Sequence, residues 1–252
     1  MVNKSNISES NFKQLSILIT QDGFLFYLQH QKAEFSKSLE GTIFENTLES
    51  NPFKHFKKRL KYIIKDYKFN SIKVAFADTN YSLVPKYYYK DQCKADYLKY
   101  NVQLLNNDHI TTDFIEAIGV YQIYIPLMNY HNAILEEVEE FEYQHFTNIL
   151  INLFKSKSLD IKQSLNVVIH SKYVDIIGFE NQSFKLCNTF CFENDYDLAY
   201  YILFATQELH FDQKQMQLHI YHNLNDTTWL DVLKRYILNI KCERQILASL
   251  IP

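Results

Sequence analysis

The residues best suited by type to do chemistry sit at two turns and one strand end. Gln21-Asp22-Gly23 separates two apolar runs within Leu15–Leu28, and an Asp-Gly pair of this kind closes a tight hairpin. A weaker counterpart, His170-Ser171-Lys172, separates the apolar runs of Leu165–Phe179. Asp78 follows the buried-strand pattern IKVAFA. With Asp22 it could form the carboxylate pair that metal-assisted hydrolysis requires. The simpler reading is that Asp22-Gly23 makes a hairpin turn and Asp78 caps the turn after its strand.

No metal site is expected elsewhere. Cys187 and Cys191 fall on one face of an expected strand, but the other ligands a zinc site needs have no recognisable spacing. His219 and His222, three apart in a strand, point to opposite faces. No nucleophile-base pair stands out among the hydroxyls and histidines.

Glycine is the most informative count, with four in 252 residues against an average usage of about 7%. Phosphate cradles depend on glycine, because backbone must approach the ligand with no Cβ in the way. This chain has almost none to offer. The formal charge of −3 predicts no general attraction to nucleic acid or anionic membrane. One basic helix face (Lys54, Lys57, Lys58, Arg59, Lys61, Lys65, Lys68) could dock RNA, making an RNA-binding protein a third and weaker alternative. A solvated face is the plainer reading. The acidic run Glu136–Glu140 reads the same way. The N-terminus lacks the apolar stretch of a signal peptide, and no apolar run nears the roughly 18 residues that span a bilayer. Four cysteines are too few for a disulfide framework, so the expected setting is cytoplasmic with reduced thiols.

These residues need elements to hold them. After a polar arm over 1–14, the first hairpin is followed by a possible strand near Phe35–Leu39. A helix then starts at Asn51-Pro52, with Phe53, Phe56, Leu60, Ile63, Ile64 and Tyr67 on one stripe. Ile72–Ala77 is the fourth strand. The chain then predicts helix after Pro85 to Tyr100, a strand at Val120–Ile125, a helix over Leu127–Phe141 and another over Phe146–Phe154. The order recurs later: strands at Leu165–Ile169, Val174–Phe179 and Ser183–Phe192, a helix capped by Asp195, a strand at Leu218–Tyr221, and a closing helix carrying Trp229, Leu233, Ile237 and Ile240. Leu15 to Ile72 spans 57 residues and Leu165 to Leu218 spans 53, which suggests duplication. The expected units are 15–158, including a helical connection, and 159–252.

Two βββαβα halves facing a cleft make an α/β, ribonuclease-H-like fold, the layout of the sugar-kinase, actin and heat-shock chaperone superfamily. The chain most resembles a bacterial family of unknown function with an actin-like ATPase fold. That resemblance is carried by Leu15–Gln29, by Val74-Ala75-Phe76 with Tyr81-Ser82-Leu83-Val84-Pro85, by Val120–Pro126 and by Phe190–Phe211. It implies a nucleotide site at Gln21, Asp22, Gly23, Ser171 and Lys172. In nucleotide-binding members an Asp-x-Gly-type turn in each half places an aspartate by the hydrated metal and N–H groups by phosphate.

Here the first turn has altered spacing, the second lacks both residues, and Tyr221–Asn225 stands where a Gly-Gly adenosine segment is expected. Ribonuclease-H-type nucleases also need an aspartate within the first strand, and LSILIT has none. The resulting expectation is a pseudoenzyme without cofactor, acting as a protein-binding or scaffold module. Its partner would be a protein or peptide, met at the cleft or at Tyr81, Tyr87, Tyr88 and Tyr89. The alternative is an active Mg-ATP-dependent ATPase or kinase using Asp22 and Asp78.

Overall fold

The computed structural model describes residues 11–21, 23–30, 37–41, 52–224 and 227–252. β1 (Asn11–Thr20) and β2 (Gly23–Gln29) form the expected hairpin, with Thr20 opposite Gly23. β1 begins earlier than the 1–14 arm allowed, because Phe12 is buried in an aromatic cluster with His30, Tyr67 and Phe69. β3 (Lys37–Gly41) pairs with β2. α1 (Pro52–Asp66) buries Phe56, Leu60 and Ile63 from the expected stripe. It returns the chain to β4 (Lys68–Ala77), which lies parallel to β1 with Leu15 opposite Ile72.

An insertion follows. β5 (Tyr81–Pro85), two single turns of 3-10 helix, α2 (Lys94–Leu98), β6 (Thr111–Ile115) and β7 (Val120–Tyr124) build a small sheet of order β5-β7-β6. Gly119, at φ 66°, makes the turn between the last two strands. The helix expected after Pro85 is thus reduced to short turns, because Tyr81–Pro85 pairs along Val120–Tyr124. α3 (Met128–Leu135) also stops earlier than expected. β8 (Glu142–His145) then joins β4 in parallel, completing a sheet of order β3-β2-β1-β4-β8.

α4 (Phe146–Lys157) leads into the second sheet. β9 (Gln163–Ile169), β10 (Tyr173–Glu180) and β11 (Ser183–Cys191) form an antiparallel meander. With no glycine at its tip, the β10–β11 turn puts Asn181 and Gln182 at φ 47° and 64°. α5 (Asp195–Glu208) is capped by Asn194, whose side chain accepts from the amides of Tyr196 and Asp197, rather than by Asp195. β12 (Gln217–His222) runs parallel to β9 with Leu165 opposite Leu218. α6 (Thr228–Leu233) is shorter than the expected closing helix, since Asn239–Arg244 forms β13 beside β12. The order β11-β10-β9-β12-β13 repeats that of the first sheet.

The apolar residues divide into layers. Ile17, Ile19 and Phe26 face α1 and α3. Val167, Ile176 and Leu218 face α5 and α6. Between the sheets, Ile149, Leu150 and Phe154 of α4 join Leu18, Ala75 and Ala77 to Val168, Ile177 and Phe179. Strands covered on both faces read as continuous apolar runs, which is what LSILIT and LNVVI show. No described helix is long and apolar enough to cross a membrane.

Candidate functional site

The two turns singled out in the sequence open on one cleft between the sheets. Thr20 and Gly23 line it from the first hairpin, His170 and Ser171 from the second, and Asn223 and Leu224 from the segment after β12. The cleft has a volume of about 80 Å³, and its walls also include Leu18, Leu25, Ile169 and Leu247. Among the described residues no lysine or arginine lines it. Lys172 is exposed, and its carbonyl accepts from the Phe192 amide at 3.0 Å. Gln21 Nε2 reaches Thr79 Oγ1 at 3.4 Å. Asp22 lies outside the described residues.

His170, the titratable group of this lining, is drawn back into the protein. The Nε2 of His170 is 2.9 Å from Asp175 Oδ2, and the His170 ring stacks on Tyr173 at 4.1 Å. Asp175 Oδ1 accepts from Thr189 Oγ1 at 2.6 Å, and Thr189 Oγ1 lies 3.0 Å from the Tyr81 hydroxyl. The Tyr81 hydroxyl is also 3.5 Å from Cys187 Sγ. The turn residue of the second sheet is thus hydrogen-bonded, link by link, to the first strand of the insertion. Tyr173 adds a second bridge by donating to the Ala77 carbonyl at 3.0 Å. Burial raises the pKa values of both Tyr81 and the Cys187 thiol. Tyr81 therefore works as a neutral donor-acceptor and Cys187 is no thiolate nucleophile.

A second buried cluster lies at the end of β4. Asp78 Oδ1 accepts from the Asn80 amide at 2.7 Å, as in an Asx turn, and is 3.7 Å from His145 Nε2. His145 caps α4, its Nδ1 accepting from the Thr147 amide at 3.2 Å, which leaves the ring proton on Nε2. The Tyr81 ring packs on His145 at 4.8 Å, so the two clusters touch. Nearby, Asp113 Oδ2 faces the His145 amide at 3.5 Å.

Burial raises the Asp113 pKa, against the opposing pull of Tyr124, His145 and Asn148. A carboxyl whose folded pKa lies above its unfolded one contributes stability at low pH, and loses it as pH rises through the folded value. Asp113→Asn, which keeps a neutral acceptor there, should be more stable than the parent near neutrality and not at pH 4. Urea midpoints at the two pH values check this, and an equal loss at both would refute it.

The family-profile comparison settles membership. The family described as "Protein of unknown function (DUF3822)" matches residues 3–240. The chain belongs to that family. A crystal structure at 1.85 Å of a Bacteroides thetaiotaomicron protein, described as having an actin-like ATPase fold and unknown function, is similar at TM-score 0.81 and 21% identity. The match covers 98% of this chain and 99% of that one. The PilM-PilN type IV pilus biogenesis complex matches at TM-score 0.54 and 9% identity, covering 95% of this chain and 90% of that one. No curated protein matches. The fold of this DUF3822 protein is therefore the actin-like ATPase fold, as its sequence pattern implied.

The tyrosines expected to share a surface are separated. Tyr87 and Tyr88 are exposed, at 91% and 67%. Tyr89 stacks on Tyr121 at 3.8 Å. Tyr81 is buried in the network above rather than presented to a partner. On the basic helix, Lys57 pairs with Glu136 at 2.5 Å, so the basic face and the acidic run meet. No described group of three His, Cys, Asp or Glu residues has metal-binding geometry. His145, Asp175 and Thr189 were not read as a unit in the sequence. The available signal was Asp175, the lone charge inside the apolar strand YVDIIGF.

Proposed function

We propose that this protein is a non-catalytic, protein-binding member of the actin-like ATPase fold whose nucleotide site has degenerated. One observation carries the reading. The cleft where both turns meet is walled by aliphatic side chains without a described lysine or arginine, and its histidine is engaged by Asp175. A triphosphate carries several negative charges, and moving them against leucine and isoleucine is costly without compensating donors or cations. The scarcity of glycine acts in the same direction, since few backbone N–H groups are free of a neighbouring Cβ. The fold is suited to binding work: the neighbour described as the PilM-PilN type IV pilus biogenesis complex is itself an assembly of proteins.

Titration calorimetry with Mg-ATP tests the reading. The expected result is no binding tighter than about 1 mM. Micromolar affinity lost in Asp22→Ala would eliminate that reading.

A further inference from the structure

A second recess lies away from the cleft, at the β8 edge of the first sheet. Phe141 to Gln144 line one wall of it and Thr112 to Phe114 line the other. Side chains alternate across a strand, so consecutive residues can border one space only along the strand's edge. Both strands are terminal in their sheets among the described residues: β8 ends the order β3-β2-β1-β4-β8, and β6 ends β5-β7-β6. The recess has a volume of about 590 Å³ and is bounded by these two strand edges, of which the His145 amide is held by Asp113. The charged side chains around it are Asp113, Glu142 and Lys73, so acid exceeds base. Lys73 is 3.7 Å from Glu142, whose side chain is 79% exposed.

We infer that this recess receives an extended segment of a partner protein. The segment would add a strand along the edge of β8 ahead of His145, whose amide Asp113 already holds, with a lysine or arginine set against Asp113 and Glu142. Main-chain pairing to a sheet edge supplies affinity with little demand on sequence, and the acidic wall selects a basic side chain in the bound strand. The inference rests on the protein-binding reading and names where that binding occurs.

The test uses the full chain and a displayed library of random 12-residue peptides. The best-selected peptide is resynthesised, its affinity measured by fluorescence anisotropy, and its footprint read by amide hydrogen exchange. Expected are peptides containing a lysine or arginine, slowed exchange over 111–115 and 142–145, and binding weakened about tenfold by Glu142→Lys and by Asp113→Asn. Glu142 is exposed, so its variant folds, and Asp113→Asn replaces a half-buried carboxylate with a neutral side chain of the same shape. Selection of no peptide, or a footprint elsewhere with β6 and β8 unchanged, overturns the inference. A footprint at the cleft would do so while leaving the protein-binding reading standing, whereas Mg-ATP affinity would remove that reading by itself.

Discussion

Asp175→Ala should cost about 1–3 kcal/mol of stability, because it leaves the buried His170 ring nitrogen without its partner. Asp175 is 3% exposed and sits between His170 Nε2 at 2.9 Å and Thr189 Oγ1 at 2.6 Å. His170 is 5% exposed and stacked on Tyr173, so it has little access to water, whereas the Thr189 hydroxyl keeps Tyr81 as a partner. Asp175→Asn keeps an acceptor for Thr189 and should lose less. Thr189→Val and Asp175→Ala each break the same Asp175–Thr189 bond, so the double variant should lose less than the sum of its parts. Urea unfolding of the four proteins gives the answer. A loss below about 0.5 kcal/mol in Asp175→Ala would mean that the chain of bonds from His170 to Tyr81 does not hold the two sheets in register.

What the sequence makes legible is local. The hairpin at Gln21 and the helical stripe from Phe56 to Ile63 are short-range patterns, and both form as read. Even the repeat is local twice over. The residues that marked its period, Leu15 with Ile72 and Leu165 with Leu218, are partners in equivalent parallel strand pairs.

The failures have two causes. β8 and β13 are short strands at sheet edges, where one side is solvated and the apolar signal is diluted. EYQH and NIKCER carry no run that outweighs the helical periodicity just before them. Within the insertion the strand expected at Val120–Ile125 forms as β7, whereas β5 pairs with it across 35 residues or more of chain, Tyr81 with Tyr124 and Val84 with Tyr121, and was not legible. The buried network is longer-range still, since Tyr81 and Thr189 come from different sheets. In the sequence each is one tyrosine or threonine among many.

Phe154→Ala should be more damaging, and its effect bears on whether the cleft can open. Phe154 has no exposed surface, stacks on Tyr221 at 5.3 Å, and belongs to the apolar layer shared by both sheets. Truncating a buried phenylalanine typically costs about 3–5 kcal/mol, part in lost transfer energy and part in the cavity left behind. A layer that contacts both sheets couples them, so the loss should be felt by each half equally. Trp229, the one tryptophan, reports on the second sheet from its place against α5 and β12. Exchange of the Leu15–Ile19 amides reports on the first. In the parent and in Phe154→Ala alike, the two probes should give coincident urea midpoints, lower in the variant. If only the Trp229 transition moved, the halves would be independent bodies and the cleft free to hinge. If both move together, α4 clamps the sheets, and closure around a nucleotide would have to break the packing that stabilises the fold.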